Sequence, residues 1–158
     1  MIGTVSTDEK AELARAHGCD HPIIYTRQDF VAEVGRITGG DKLPVVYDSV
    51  GKDTFLKSLE CLHPRGLMVS YGNASGPPDP IAPGLLAQKG SLFLTRPTLF
   101  HYIAKREELE QSASELFGLV LDGRVKIEIG QRFALKDASE AHRALESRKT
   151  TGSTVLTV

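Results

Sequence analysis

Two cysteines and five histidines are the side chains of this sequence best suited to bond-making or metal chemistry. Cys19 and Cys61 are far apart, and neither forms a C-x-x-C pair or stands at zinc-ligand spacing with a histidine; His21, two residues from Cys19, is a weak hint of metal. The pattern is that of two reduced thiols in a cytosolic protein. His17, His21, His63, His101 and His142 fall near helix or loop ends, without the Ser and Asp at a sharp elbow that a nucleophile–base relay requires. His142 reads as a packed helix residue. Phosphate-binding loops are absent too. G-x-G-x-x-G does not occur, and Val50-Gly51-Lys52-Asp53 fails G-x-x-x-x-G-K-[ST], since Asp53 replaces the hydroxyl residue and Val46 the leading glycine.

The elements that would position any site follow from periodicity. Ile2-Gly3-Thr4-Val5 reads as a short strand, and Ser6-Thr7-Asp8-Glu9 as a capping box with Ser6 at the cap. The helix that follows carries Leu13 and Ala14 and stops at Gly18. Pro22 to Tyr25 is the next strand. Phe30, Val31, Val34 and Ile37 make Asp29 to Thr38 an amphipathic helix closed by Gly39-Gly40. Pro44 to Tyr47 is a strand apolar enough for burial on both faces. Phe55, Leu56, Leu59 and Leu62 mark another helix, and Pro64-Arg65-Gly66 turns into the strand Leu67 to Tyr71. This alternation is the pattern of a parallel sheet with helices on its faces.

After Tyr71 the rhythm breaks into a Gly/Pro-rich loop, Gly72 to Pro83. Ser91 to Thr95 is one more strand. A helix with Leu109, Leu116, Phe117 and Val120 runs to Gly123, and Val125 to Ile129 is a strand. Asp137 caps a helix presenting Ala138, Ala141, His142 and Leu145, and the sequence ends on the strand Thr154 to Val158. At 158 residues and a formal net charge of -1, the composition is that of a globular domain with a real core. There is no basic stripe to track a nucleic acid, no secretory leader, and no segment near the roughly 20 apolar residues that span a bilayer. From the residues alone this is an α/β domain without a phosphate loop.

Four ordered motifs add a resemblance. Val46-Tyr47-Asp48-Ser49-Val50-Gly51 resembles the fourth-strand motif of the zeta-crystallin-like quinone oxidoreductases, in the medium-chain dehydrogenase/reductase superfamily. Gly66 to Gly76 resembles their fifth strand and its loop, and Gln88 to Leu99 their sixth strand and its exit. Ala141 to Arg148 followed by Thr151-Gly152 resembles their C-terminal motif. The resemblance covers essentially the whole chain but about half of the family protein. It implies an incomplete doubly wound Rossmann-type parallel sheet with helices on both faces, lacking the first strand and the glycine-rich loop. Residues 1–124 would be a partial nucleotide-binding domain, and 125–158 a segment that packs with a catalytic domain.

The resemblance also assigns residues. It sets Ser6, Lys10 and Tyr25 beside the adenosine ribose. NAD-selective folds carry an acidic residue where Ser6 stands, so a 2'-phosphate and hence NADPH is implied. Read without the family, Lys10 is a solvated helix residue and Tyr25 a core edge. Ser49 and Val50 would lie near the adenine or bridging ribose, and Tyr71, Gly72 and Asn73 against the nicotinamide. Asp48 reads equally as a cap of the following helix. Thr95 and Arg96 would approach the carboxamide end, and Arg148 the ribose-phosphate end. The implied activity is hydride transfer from NADPH to a quinone by a cytoplasmic, zinc-independent enzyme, for which no protein nucleophile is required. The isolated chain is expected to be inactive and to form a homodimer through strand 91–95, with no nucleic-acid or membrane partner. The alternatives are a non-catalytic cofactor-fragment or dimerisation module, a related enone or acyl-thioester reductase, and, more distantly, a Rossmann-like methyltransferase.

Overall fold

A computed structural model describes residues 1–147 and 150–158. The chain is α/β and divides into two compact units, Met1–Thr98 and Leu99–Val158. In the first unit, β1 (Ile2–Val5), α1 (Asp8–Ala16), β2 (His21–Ile24), α2 (Phe30–Ile37), β3 (Leu43–Asp48), α3 (Phe55–Glu60), β4 (Leu62–Ser70), α4 (Gly84–Gln88) and β5 (Phe93–Thr95) follow one another. Every strand pairing is parallel. β1 pairs with β2, and β3, β4 and β5 form a separate sheet in that order. Parallel neighbours need a long crossover, and each connection here contains a helix.

Two apolar clusters hold this unit together. Ile23, Val34 and Cys61 are buried, with Ile2, Phe30, Val31, Ile37, Leu43 and Val46 packed against them. The apolar stripe expected for α2 is therefore the stripe it buries. Asp29 caps that helix by accepting a hydrogen bond from the Val31 amide at 3.1 Å. The second cluster is Phe55, Leu59, Leu62, Met68 and Leu92, with Val46, Ile81, Leu85 and Leu86 against it. Burying each large side chain of this kind contributes about 1.5–3 kcal/mol. Val46 touches both clusters, so β3 is the strand that links them.

Several expected boundaries move. The cap of α1 is Thr7, not Ser6: Thr7 Oγ1 accepts the Lys10 amide at 3.3 Å, while Ser6 stays at the strand end. Leu62 belongs to β4 and not to α3, which ends at Glu60. Pro64-Arg65 lies within β4 instead of forming a turn before it; Arg65 takes φ 63°, and the β3–β4 register shifts between Leu43 and Val45. α4 lies where no element was anticipated. β5 is shorter than 91–95, because Ser91 turns at φ 57° and Leu92 points into the core.

The second unit contains α5 (Leu99–Tyr102), α6 (Arg106–Leu121), β6 (Ile129–Ala134), α7 (Ala138–Glu146) and β7 (Ser153–Thr157). β6 and β7 pair in parallel, with α7 as the crossover. The strand expected over Val125 to Ile129 is displaced. The Val125 amide still bonds to Leu119 O at the end of α6, and pairing starts only at Ile129. Asp137 precedes α7 without a side-chain capping bond. Among the described residues no helix is long and apolar enough to cross a membrane.

Candidate functional site

The carboxyl ends of parallel strands are where open α/β sheets take ligands. At the end of β3, Asp48 is buried, and its carboxylate is the centre of a local network. Its Oδ1 accepts from the Val50 amide at 2.8 Å and the Gly51 amide at 3.0 Å. Its Oδ2 accepts from Thr54 Oγ1 and Ser58 Oγ, both at 2.7 Å. Burial works to raise the pKa of this carboxyl, but the bonds from Gly51, Ser58, Thr54 and Val50 outweigh it and hold it below the ordinary 3.8. Asp48 therefore both shapes the Ser49–Gly51 turn and ties it to the first turns of α3.

The exit of β4 wraps around that turn. The Tyr71 amide donates to Asp48 O at 2.9 Å, Ala74 to Ser49 O at 3.1 Å, Ser75 to Val50 O at 2.8 Å, and Lys52 to Gly76 O at 3.0 Å. Ser75 Oγ accepts from the Asp53 amide at 3.0 Å and donates to Val50 O at 2.9 Å. Close backbone approach at Gly72 is real, but its partner is protein: a Cβ there would stand 2.4 Å from Ser49 O and 2.8 Å from Ser49 Cα. Gly51 is constrained as tightly, with φ +90° and Gly76 O 2.5 Å from any Cβ. Tyr71 and Asn73 are exposed at the rim. Arg96, just after β5, donates from Nη1 to Ser70 O at 2.8 Å and so fastens the β5 exit, with Thr95, to the end of β4.

A second group of residues meets at the ends of β1 and β2. The Tyr25 amide donates to Val5 O at 3.0 Å, and Thr26 Oγ1 to Ser6 O at 2.9 Å, so Ser6 and Tyr25 end adjacent strands side by side. Lys10 lies in the first turns of α1 and is half-buried. Arg27 grips Asp8 with two hydrogen bonds, Nη1 to Oδ2 at 2.8 Å and Nη2 to Oδ1, and holds the Asp8 carboxyl below its ordinary range. Asp8, two residues from both Ser6 and Lys10, is thus neutralised by an ion pair, while Glu9 lies in the first turn of α1. Arg148 lies outside the described residues.

The candidate residues therefore form two groups, Ser6, Lys10 and Tyr25 in one, and Ser49, Val50, Tyr71, Gly72, Asn73, Thr95 and Arg96 in the other. Sequence reasoning missed Thr26, Arg27 and Ser75. The signal available for Asp48 was the pair Thr54 and Ser58, four apart on one face of α3. A groove of about 520 Å³ lined by Arg15, Arg27, Gln28, Glu33 and Arg36 runs beside β2. Its arginines are already paired, Arg15 with Glu12, Arg27 with Asp8 and Arg36 with Glu33, so its charges are spent internally.

Residues 17–156 match the family model described as zinc-binding dehydrogenase, and the chain belongs to that family, within the medium-chain dehydrogenase/reductase superfamily. A quinone oxidoreductase of Pseudomonas aeruginosa is 56% identical over 156 residues, covering 99% of this chain and 48% of that protein. A 2-haloacrylate reductase of a Burkholderia species is 50% identical, covering 99% of this chain and 47% of that protein. The crystal structure of Escherichia coli quinone oxidoreductase complexed with NADPH matches with a TM-score of 0.96 at 50% identity, over 99% of this chain and 49% of that one. The chain thus spans about half the length of the relatives it matches, and its parallel α/β fold is of the Rossmann type. The family's name implies zinc. Among the described residues no three His, Cys, Asp or Glu side chains converge as a donor set, and no chemical step is assigned to a metal here.

Proposed function

We propose that this chain is the nucleotide-binding half of a reductase that uses NADPH to reduce a quinone. The observation that supports the reading is that Ser6 and Tyr25 end adjacent strands, with Lys10 in the first turns of the helix after Ser6 and the Asp8 carboxylate paired with Arg27. A 2'-phosphate there would meet a hydroxyl donor and positive charge, with Asp8 already held by Arg27. Ser49, Val50, Tyr71 and Asn73 would line the remainder of the cofactor, and Thr95 and Arg148 its carboxamide and ribose-phosphate ends. Gly72 would lie against the nicotinamide and Arg96 near the carboxamide end, both at strand exits braced by protein, Gly72 by close approach to Ser49 and Arg96 by its bond to Ser70 O. When bound, the cofactor supplies a hydride that, with a proton, converts a quinone to a hydroquinone. The work of this chain is to bind and orient that cofactor. Residues 1–124 would do so, while 125–158 would pack with a catalytic domain. The isolated chain is expected to be inactive, to reside in the cytoplasm, and to pair with a second copy through β5.

Calorimetric titration with NADPH, NADH and adenosine 2'-phosphate tests the cofactor assignment. Charge-assisted bonds to a phosphate contribute about 1.5–3 kcal/mol, so NADPH should bind at least about tenfold more tightly than NADH, and Lys10→Ala should remove most of that preference. Equal affinity for the two dinucleotides would overturn the reading. A second reading, a reductase of activated alkenes, is favoured by the 2-haloacrylate reductase, whose 50% identity equals that of the E. coli quinone oxidoreductase. Turnover of 2-haloacrylate against a simple quinone, by this chain joined to the remainder of a relative, separates the two.

A further inference from the structure

We infer that the ion pair between Asp8 and Arg27 decides which dinucleotide this chain prefers: Arg27 masks Asp8, and baring that carboxylate turns the preference from the 2'-phosphorylated cofactor to the unphosphorylated one. The inference rests on the NADPH reading and deepens it, because it names a residue on which the preference depends. Doubly wound folds separate the two cofactors with an acid that bonds the ribose hydroxyl, or with an arginine that accommodates the 2'-phosphate. This chain carries one of each, and they are bound to each other.

Their placement ties them to the candidate residues. Tyr25, Thr26 and Arg27, which follow β2, each hold the end of β1 or the segment after it. The Tyr25 amide donates to Val5 O, Thr26 Oγ1 donates to Ser6 O, and Arg27 holds Asp8 with both terminal nitrogens of its guanidinium. The acid therefore comes from the segment that follows Ser6, and its mask from the segment that follows Tyr25. Asp8 shares the first turn of α1 with one other carboxylate, Glu9. Glu9 is engaged at the helix start by its own amide and by the Thr7 hydroxyl. Arg15, further along α1, bonds to Glu12 at 3.1 Å, which leaves Arg27 as the chief partner of Asp8. Both side chains of the pair are more than half exposed. An exposed pair adds little to stability, so its loss leaves the fold in place while changing the charge between Ser6 and Lys10. The field of an exposed carboxylate is screened by salt, so its effect on a phosphate is largest at low ionic strength.

The test titrates the full 158-residue chain calorimetrically with NADPH and with NADH at low salt, as wild type, Arg27→Ala, Asp8→Asn and the double variant. Arg27→Ala should reduce the preference for NADPH about tenfold, the effect of one bared carboxylate near a phosphate. Asp8→Asn alone should keep or increase the preference, and added to Arg27→Ala it should restore most of what the alanine removed. Raising the salt should shrink the difference between wild type and Arg27→Ala. Circular dichroism checks the fold of each variant, and Arg27→Gln repeats the measurement should Arg27→Ala fail to fold. A wild type that does not prefer NADPH overturns the cofactor reading and this inference with it. A clear preference in wild type that Arg27→Ala leaves intact overturns the inference alone. So does a preference lowered by Asp8→Asn alone, or a loss in Arg27→Ala that Asp8→Asn fails to restore, because Arg27 would then act on the phosphate directly and not by masking the acid.

Discussion

Replacing Asp48 with alanine removes the one acceptor that serves two backbone amides and two hydroxyls at the end of β3. Leaving several buried donors without a partner costs about 3–5 kcal/mol, the range seen when one side of a buried charged network is deleted. Asp48→Asn keeps an acceptor for Val50 and Gly51 and turns its amide toward Thr54 and Ser58, whose hydroxyls can reverse and accept. It loses only charge assistance, about 1–2 kcal/mol. Urea denaturation followed by circular dichroism should rank wild type above Asn and Asn above Ala, with exchange of the Val50 and Gly51 amides accelerated most in Ala. The pH dependence has a definite sign. Because the carboxyl is held below its ordinary 3.8 in the folded chain, its contribution is complete above that value and is lost as pH falls through the folded value. Acidification below about pH 4 should therefore destabilise wild type more than Asp48→Asn. An alanine variant within about 1 kcal/mol of wild type, or an asparagine variant no better than alanine, would refute the network as drawn.

Gly72→Ala should destabilise by about 1–3 kcal/mol, because the new methyl meets the Ser49 backbone and not a movable side chain; a change of a few tenths in urea unfolding would contradict this. Burial pushes the Cys61 thiol up to about 11, and both cysteines are buried, so a thiol-specific reagent at pH 8 should react only as the chain unfolds. Fast reaction of either thiol in the native chain would disprove it. Phe93 is 62% exposed on β5, which pairs on one side only, so Phe93→Lys should shift any dimer toward monomer in sedimentation. An unchanged dimer would move the contact elsewhere.

The alternation of strands and helices was legible wherever local signals agreed. The stripe of Phe30, Val31, Val34 and Ile37 identified α2, since a helix with one apolar face has a single way to bury it. The failures share a cause, which is tertiary context overriding a local signal. Leu62 continues the apolar period of α3, yet it is buried more completely as the first residue of β4, where it joins the cluster with Met68 and Leu92. Pro64-Arg65-Gly66 has turn composition, but the register shift against β3 lets the strand run through it. Ser91 and Leu92 extend an apolar run without belonging to β5, because Leu92 serves the core and its direction is set by the turn at Ser91.

For the site, the residue types were legible and their partners were not. A glycine after a strand announces close approach, and Gly72 has it, but composition does not distinguish a ligand from the backbone of Ser49. The resemblance sets Arg96 near the carboxamide end of the cofactor, and nothing in the sequence announces that its guanidinium also reaches the Ser70 carbonyl of a neighbouring strand. Asp8 and Glu9 beside Lys10 argue against phosphate binding, and of the two it is Asp8 that Arg27, nineteen positions away, neutralises. In each case the deciding partner comes from the end of a different strand or the segment just after it, and its position depends on the order of strands in the sheet. Both groups of candidate residues stand at the carboxyl ends of parallel strands, Ser6 and Tyr25 after β1 and β2, Ser49, Tyr71 and Arg96 after β3, β4 and β5. Ligands of open α/β sheets bind outside those ends, so the sheet, and not any local motif, is what brings residues this far apart in sequence to a common side.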